Sequence, residues 1–516
     1  MEERYVLGLD GGTESMRAGI FDRKGAPIAF ASSPYSTTYP QSSWAEQDPE
    51  EWWRAMGEAS RAALAAAKVK PHQIEALSLD TTNCTVVALD AAGKALRPCL
   101  LWMDMRSAAQ AARVAASGDS ALIVNGGGKG PVSAEWMVPK ALWLKEEEPE
   151  VYAAATYICE YQDFINFRLT GCMCASVNNV SARWHYDTQR GWPDTLLQHL
   201  GMPELLEKWP QDVLPLAEVV GGLTQEAAEH LGLAPGTPVA QGGVDAQIGM
   251  LGLGVIDPGS LALLMGSSHL HLGVTDQMLH GSGMFGTYRD GLCPGISVVE
   301  GGQTSTGSAV AWLHRLLGSP GYAELDKEAA GVPPGAEGLV CLDHFQGNRT
   351  PHTDAASRGA FVGLTLRHSR GHMHRALLES ICFGTELVLE TMRDNGFHPA
   401  SITCAGGPTR SDFWLQLHAD ISNIPLRLTE VAEAPALGSA ILAAVAAGWY
   451  PSIPDAVRGM VHIARTVQPN PAVHEAYRES YAAYKELYPA LRPTFHAAAA
   501  RDSARRQAQK GARASA

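Results

Sequence analysis

The sequence lacks the usual marks of a secreted or membrane protein. It has no apolar run of about 20 residues, the length that a helix needs to cross a bilayer. It begins Met-Glu-Glu-Arg, which is acidic at once and unlike a secretion signal. Its nine cysteines are an odd number, and no two of them form a Cys-x-x-Cys pair. These absences predict a reduced, cytoplasmic setting.

Positive charge is scarce as well. The 40 lysines and arginines are outnumbered by 54 aspartates and glutamates, which gives a formal net charge of −14. Non-specific binding to nucleic acids and to anionic membranes depends on basic surface. We therefore expect neither partner. The length of 516 residues exceeds what one core supports and predicts two large domains.

The common nucleotide-binding motifs are missing too. The glycine-rich stretch at 126–130 lacks the Gly-Lys-Ser/Thr ending of a P-loop, and we expect a connector there. The Gly252-x-Gly254 pair lacks the third glycine of a dinucleotide fingerprint. A nucleotide site, if present, must therefore be of another kind.

The first hairpin carries the strongest signal for a ligand site. A short apolar run at 6–9 is typical of a buried strand, and it ends on Asp10. A glycine- and hydroxyl-rich loop at 11–15 follows, and then Arg17. Such a loop lets backbone N–H groups approach a ligand, and a carboxylate suits Mg²⁺. From these residues alone, a site for a metal-bound polyphosphate and a plain hairpin turn remain equal alternatives.

The second half repeats this pattern in part. The segment 260–274 is again apolar strand, small polar loop and strand, and the segment just before it ends on Asp245. A repeated half predicts two hairpins that face each other across a cleft, although so short a repeat also arises by chance. Phosphoryl transfer to a hydroxyl needs positioned phosphates, a divalent cation and a base. Asp245 could be that base, or a strand-end residue that caps the next helix.

Several segments, taken in order, resemble the FGGY carbohydrate kinases of the ribulokinase-like branch. The stretch Asp-Gly-Gly-Thr-Glu-Ser-x-Arg at 10–17 resembles their first phosphate loop. It is followed by Asp-Thr-Thr-x-Cys-Thr at 80–85, Trp-x-Asp-x-Arg at 102–106, Ser-x-Glu-Trp at 133–136, Glu-Gly-Gly-Gln at 300–303 and Gly-Asn-Arg at 347–349. The resemblance runs from about residue 5 to residue 448. It implies an α/β, two-lobed actin/hexokinase-like (ribonuclease H-like) ATPase fold, with a mixed β-sheet and flanking helices in each lobe.

The resemblance also implies the domain boundaries and the cofactors. We expect an N-terminal domain at 1–256 with the sugar site and the first phosphate loop. A nucleotide-binding C-terminal domain would span 257–490, and a flexible Ala/Arg-rich tail 491–516. Pro258-Gly259, which breaks both helix and strand, lies at the junction. The implied cofactors are ATP and Mg²⁺.

Site residues follow from the resemblance one by one. Asp10 would hold Mg²⁺ through waters, and Asp245 would be the general base. Contacts to ATP are implied for Gly12, Thr13, Glu14, Ser15, Arg17, Gly266, Ser267, Ser268, Gln303, Gly307, Gly406, Gly407 and Ser411. Contacts to the sugar are implied for Asn83, Asp104, Arg106, Glu135, Asp245, Gln247 and Glu300. From residue types alone, Asp104 and Arg106 could equally be a surface pair, and Gly406-Gly407 an ordinary strand-to-helix turn.

The implied reaction moves the γ-phosphate of Mg·ATP to a terminal hydroxyl of a pentulose, with ribulose as first choice. A kinase for xylulose or a small polyol (ribitol, xylitol or erythritol) is the alternative. An inactive sugar-binding regulator and a chaperone-type ATPase are less favoured, because the two aspartates and the sugar segments are retained. The bulky Glu14 and the second loop Gly-Ser-Ser-His depart from the common family pattern. The segment at 102–106 resembles a family motif but is not the one that classical L-ribulokinases carry, and these differences leave the sugar open. The partners considered are a sugar and, for the assembly, a second copy of the chain.

Overall fold

A computed structural model describes residues 3–128, 130 and 132–514 of the chain. Residue 129, within the connector expected at 126–130, lies outside the described residues. The strands are β1 (Tyr5–Gly11), β2 (Ser15–Phe21), β3 (Pro27–Pro34), β4 (Glu46–Gln47), β5 (Ile74–Thr81), β6 (Val86–Leu89), β7 (Cys99–Leu100), β8 (Tyr157–Glu160), β9 (Cys174–Ser176), β10 (Asp212–Leu214), β11 (Val219–Gly222), β12 (Pro238–Ala240), β13 (Ser260–Met265), β14 (His269–Thr275), β15 (Gly286–Cys293), β16 (Ile296–Gln303), β17 (Val340–Leu342), β18 (Ala360–Val362), β19 (Ser401–Ala405), β20 (Leu426–Thr429) and β21 (Ile463–Val467).

The helices connect and cover these strands. They are α1 (Pro49–Ala67), α2 (Ala108–Ala116), α3 (Met137–Glu147), α4 (Pro149–Ala154), α5 (Tyr161–Thr170), α6 (Val177–Arg183), α7 (Asp194–His199), α8 (Leu205–Lys208), α9 (Gln225–Leu231), α10 (Asp245–Gly252), α11 (Gly307–Leu316), α12 (Tyr322–Ala330), α13 (Arg370–Asp394), α14 (Asp412–Ser422), α15 (Ala434–Ala446), α16 (Ile453–Met460) and α17 (Pro471–Ala514). No helix among the described residues is both long and apolar enough to span a membrane.

The repeat expected from the two hairpins is present at the level of whole sheets. The first lobe is built on a six-stranded sheet in the order β11-β12-β5-β1-β2-β3, and the second on a seven-stranded sheet in the order β15-β16-β14-β13-β19-β20-β21. In each sheet an antiparallel hairpin (β1–β2 or β13–β14) adjoins a parallel pair (β1–β5 or β13–β19). The predicted two-lobed α/β fold with mixed sheets is thus confirmed. The boundary between residues 256 and 257 stays a prediction.

Small residues bring helix α15 close to the first sheet. A Cβ atom on Gly8 of β1 would lie 2.0 Å from the carbonyl oxygen of Ala436 on α15. A Cβ atom on Gly438 of α15 would lie 2.0 Å from the carbonyl oxygen of Ile248 on α10. Backbone therefore packs on backbone at both places, which only glycine permits.

The C-terminal segment differs from expectation. The tail predicted at 491–516 continues helix α17 as far as Ala514. Tyr477 and Tyr484 of this helix are buried against the second lobe, and Leu487, Leu491 and Phe495 pack there partly buried. Apolar residues on one face of α17 give the segment a surface to fold on, which its Ala/Arg composition did not suggest. Its predicted flexibility remains untested.

Candidate active site

Two cavities between the lobes meet at Asp245. The first has a volume of about 370 Å³ and the second about 510 Å³. Asp245, Ala246, Ser268 and Leu270 line both of them. Asp245 is the first residue of α10, and its Oδ1 accepts a hydrogen bond of 2.7 Å from the N–H of Ala246. One carboxylate at the start of a helix therefore faces both spaces.

Two further aspartates lie where parallel strands end at the same edge of the first sheet. Asp10 of β1 is paired in register with Asp80 of β5 and with Arg17 of β2. Arg17 Nη1 lies 2.7 Å from Asp10 Oδ2. Asp80 is fully buried; its Oδ2 accepts a hydrogen bond of 2.8 Å from Ser439 of α15, while its Oδ1 has no hydrogen-bond partner among the described residues. The sheet thus gathers acidic groups beside Asp245.

This crowding of acids in a buried place controls their protonation. Burial, with the negative charge of Asp10 as second cause, raises the pKa of Asp245 to about 7. Burial and the charges of Asp10 and Asp245 raise the pKa of Asp80 well above its usual range. Burial also raises the pKa of Asp10, although Arg17 opposes it. Near neutral pH, Asp245 is therefore poised to take up or release a proton.

The first loop is shaped by side chains from several elements. The N–H of Gly12 donates to the carbonyl oxygen of Ser15 at 3.1 Å. The side-chain amide of Gln47 donates to the carbonyl oxygen of Thr13 at 2.7 Å. The indole N–H of Trp102 donates to the side-chain hydroxyl oxygen of Thr13 at 3.0 Å. Thr13 lines the first cavity, and Glu14 is exposed and lines neither. The bulky acid at 14 is accommodated because it points away from both cavities.

The second loop faces the second cavity. Gly266 and Ser268 line it, together with Gly406, Asp10 and Arg17. The carbonyl oxygen of Ser267 accepts N–H bonds from the start of α11, at 2.9 Å from Thr306 and 3.1 Å from Ser308. A Cβ atom on Gly307 would lie 2.4 Å from the carbonyl oxygen of Gly266. Gly307 therefore packs directly against the backbone of the second loop, and it lines neither cavity.

Polar side chains from both lobes line the first cavity. Of the predicted sugar contacts, those that line it are Asn83, Glu135, Asp245, Gln247 and Glu300. Glu300 is held by an ion pair of 2.7 Å with Arg183 and by the hydroxyl of Tyr288. Gln247 Oε1 accepts a hydrogen bond of 2.7 Å from Asn178. These groups have fixed directions, which suits recognition of hydroxyls.

Sequence reasoning missed several residues of this cavity. They are Thr82, Cys84, Trp102, Arg183, Phe285 and Arg349. Trp102 and Arg349 lie inside segments whose resemblance had been noted, so the signal for them was present. Arg183 ends the short helix α6, and its role appears only through its ion pair with Glu300.

Asp104 and Arg106 are not where the prediction put them. Both side chains are fully buried, and neither lines a cavity. Arg106 Nη2 lies 2.8 Å from Asp104 and 2.8 Å from Glu46, and the guanidinium lies 3.7 Å from the ring centroid of Trp44. Asp104 also accepts the N–H of Ala45 at 2.6 Å. The pair is neither a sugar contact nor a surface pair, but an internal tie that holds the segment at 44–46.

Gln303 and Ser411 also lie away from both cavities. Gln303 is buried inside the second lobe and donates to Asp343 Oδ2 and to the carbonyl oxygen of Ile381, both at 3.0 Å. Ser411 caps α14 by accepting the N–H of Trp414 at 3.1 Å. Gly407 is exposed beside Gly406, and Ser15 and Ser267 lie in the loops without lining a cavity.

The acidic groups of the second cavity suit Mg²⁺ bound with a nucleotide. Among the described residues, no cluster of three histidine, cysteine, aspartate or glutamate side chains could hold a metal by itself. Mg²⁺ is typically held by one or two carboxylates, substrate phosphates and waters. Asp10 and Asp245 both line the second cavity and supply carboxylate oxygens. The residues present therefore fit the ion.

The comparison with family models decides which family the chain belongs to. Residues 5–252 match the model of the N-terminal domain of the FGGY family of carbohydrate kinases, and residues 261–447 match that of its C-terminal domain. The chain belongs to the FGGY family. It is a carbohydrate kinase, a phosphotransferase that uses ATP and has an alcohol group as acceptor.

Individual relatives agree on the family but differ in the sugar named. A ribulokinase of Geobacillus thermodenitrificans is 32% identical over 95% of this chain and 94% of its own length. A xylulose kinase of Rhodospirillum rubrum, known as a crystal structure, is 31% identical, with a TM-score of 0.85 over 96% of this chain and 100% of that one. A glycerol kinase of Plasmodium falciparum, solved with ADP, is 19% identical and shares the fold, with a TM-score of 0.83 over 94% of this chain and 98% of that one.

Proposed function

We propose that this kinase transfers the γ-phosphate of Mg·ATP to a terminal hydroxyl of a pentulose, with ribulose as the first choice. The observation that carries the proposal is the position of Asp245 in the wall shared by both cavities. A sugar in the first cavity and a triphosphate in the second would bring hydroxyl and γ-phosphate together beside this carboxylate. Proximity of that kind supplies much of the rate in phosphoryl transfer.

In the step itself, Asp245 acts as general base. Its carboxylate takes the proton of the terminal hydroxyl as that oxygen attacks the γ-phosphorus. The bond from phosphorus to the β–γ bridging oxygen breaks, and ADP leaves with that electron pair. Because burial raises the pKa of Asp245 to about 7, the group is basic enough to take the proton and still ionised near neutral pH.

The phosphates are bound by groups that line the second cavity. Ser268 offers its hydroxyl as a donor, and Arg17 is a cation beside Asp10. The N–H of Gly266 donates to the carbonyl oxygen of Ser268 at 2.9 Å and shapes the loop. Mg²⁺, held by Asp10 with phosphate oxygens, would supply neutralisation of the phosphate charge. Gly406 also lines this cavity, where we place the nucleoside.

The size and polarity of the first cavity support a pentulose. Small-ligand sites typically measure about 300–1,000 Å³, and a volume of about 370 Å³ suits a small sugar. Asn83, Gln247 and the Arg183–Glu300 pair offer donors and acceptors for several hydroxyls. Ribulose is favoured because the segments at 80–85, 133–136 and 300–303 resemble the ribulokinase-like branch and because ribulokinase is the name of a relative at 32% identity.

Sugar-dependent release of ADP tests the proposal. Wild-type protein with Mg·ATP is given D- and L-ribulose, D- and L-xylulose, ribitol, xylitol, erythritol or glycerol, with a blank without sugar as control. A kcat/KM for one ribulose enantiomer at least tenfold above the others supports the proposal. A preference for xylulose or a polyol shifts the assignment to the alternative, for which the similarity to a xylulose kinase is the supporting observation. Blank-level rates for every pentulose contradict it.

A further inference from the structure

A short loop of the second lobe carries an arginine into the first cavity. Arg349 lines the cavity, and its guanidinium lies 5.1 Å from the ring centroid of Phe285. Among the described residues this guanidinium makes no ion pair, whereas Arg183, the other arginine of the cavity, is neutralised by Glu300. An unpaired cation in a substrate cavity retains its N–H donors for a ligand.

The loop, which we call the Arg349 loop (residues 348–354), is closed and docked by backbone hydrogen bonds. Asn348 and Asp354 exchange N–H···O bonds of 2.9 Å in both directions. Thr350 exchanges hydrogen bonds of 3.2 Å with Gly302 of β16, two residues from Glu300. The position of Arg349 therefore depends on how the loop is held at its closing residue, Asp354.

Helix α17 holds that residue. Tyr488 donates its hydroxyl to Asp354 Oδ2 at 2.9 Å, and His496 Nε2 lies 2.8 Å from the same oxygen. The ring of Tyr488 also stacks on His352 within the loop, with centroids 3.9 Å apart. The helix therefore binds the Arg349 loop by side-chain contacts on two of its residues.

The same helix also reaches the strand that carries Glu300. Tyr484 donates to Asp343 Oδ1 at 2.7 Å, and Asp343 Oδ2 accepts from Gln303 of β16 at 3.0 Å. Gln303, which was predicted to contact ATP, thus belongs to the support of the first cavity. Helix α17 lies beyond residue 447, where the match to the family ends.

We propose that α17 contributes to sugar binding. Tyr488 and His496 of this helix hold Asp354, and Asp354 in turn fixes the loop. The loop then positions the Arg349 guanidinium so that it donates a hydrogen bond to an oxygen of the bound sugar. Arg349 is the contact, and Tyr488, His496 and Asp354 are positioning residues. The inference rests on the proposed function, because it takes the first cavity as the sugar site.

The competing account is that α17 only stabilises the second lobe, and α17 itself offers a matched control. Tyr481 donates its hydroxyl to Glu390 of α13, and among the described residues no hydrogen bond or ring contact joins Tyr481 to the Arg349 loop. Tyr481→Phe and Tyr488→Phe each remove one hydroxyl from the same helix, but only the second loosens the loop. A merely structural role predicts similar effects of the two substitutions.

Steady-state kinetics with the best sugar of the panel, combined as a double-mutant cycle, gives the first test. We expect Tyr488→Phe to raise the KM for sugar about 2–10-fold, the worth of one hydrogen bond, with kcat and the KM for ATP nearly unchanged. Arg349→Met is expected to raise the KM for sugar about 10–100-fold. When Tyr488→Phe is added to Arg349→Met, the KM for sugar should rise by less than a further twofold. An unchanged KM in Tyr488→Phe, an equal rise in Tyr481→Phe, or full additivity with Arg349→Met overturns the proposal. Asp354→Asn, which keeps the shape of the side chain, serves as a second variant and should behave like Tyr488→Phe.

Hydrogen exchange of residues 343–357 gives a test that needs no sugar. Tyr488→Phe is expected to speed exchange in this segment while Tyr481→Phe leaves it unchanged. Equal exchange in the wild type and Tyr488→Phe overturns the inference even if the enzyme phosphorylates a pentulose. Conversely, a wild type inactive on the whole panel contradicts the proposed function, while the exchange result still decides the role of α17.

Discussion

In the proposed reaction the chemistry depends on Asp245, and the raised pKa of this residue leads to a prediction about pH. A base must be ionised to take a proton, so the neutral form that dominates below about pH 7 is inactive. We expect kcat/KM to fall about tenfold per unit as the pH drops below 7, and to level off above it. Rates measured between pH 5 and 9 check this. A flat profile down to pH 5 would mean that Asp245 is not the base or that its pKa is ordinary.

The raised pKa of Asp80 leads to a prediction about the stability of the fold. Its folded-state pKa is raised well above the unfolded value of about 4, so folding requires proton uptake at pH values between the two. The cost of that uptake grows as the pH rises. We therefore expect Asp80→Asn, which needs no proton, to raise Tm by a few degrees at pH 8 and by less at pH 5. Thermal unfolding at the two pH values measures this, and an equal or negative change in Tm at both would refute it.

Whether a site residue could be predicted from the sequence depends on how far along the chain its partners lie. Asp10, Asp245 and Glu300 were predictable as cavity residues because each lies in a short motif of consecutive residues. Arg183 was not, because the residue that gives it a role is 117 positions away. Asp104 and Arg106 were misplaced because local sequence does not reveal that Glu46, 60 positions from Arg106, forms an ion pair with the arginine inside the protein.

Among the elements, the contact between α10 and α15 is sensitive to side-chain volume. A Cβ atom on Gly438 would meet backbone at 2.0 Å, whereas one on Gly249 of α10 would lie 3.6 Å from Pro435, an ordinary contact. We expect Gly438→Ala to lower the free energy of unfolding by about 1–3 kcal/mol, as overpacking does. Gly249→Ala, the matched control, should raise it by about 0.5–1 kcal/mol through helix propensity. Denaturant unfolding of both proteins measures the difference, and equal effects would contradict the packing argument.

Elements were predictable where the signal is local. The hairpins of both lobes are read from an apolar run, a glycine loop and a second run, which are consecutive in sequence. Helix α17 was not predicted beyond residue 490, because what holds it is distant: Tyr484 bonds to Asp343, 141 positions away. Composition alone describes such a segment as a tail.

At the scale of the whole molecule, both cavities lie between the two lobes. We therefore expect the lobes to close when the ligands bind. Residues of both lobes line the two cavities, so binding of both ligands is expected to draw the lobes together and exclude water. Small-angle scattering should show a smaller radius of gyration with the sugar and a non-hydrolysable ATP analogue present together. An unchanged radius with both bound would indicate that the lobes are already closed or do not move.

The most direct test of the central claim, that Asp245 joins a sugar cavity to a nucleotide cavity as the base, is a comparison of Asp245→Asn with the wild type. Sugar-dependent ADP release and ATP affinity are measured on the same preparations. The account predicts that kcat falls about 10²–10⁴-fold, the usual worth of a general base, while the Kd for ATP changes little. A variant that retains kcat within a few-fold would contradict the assignment of Asp245 as the base.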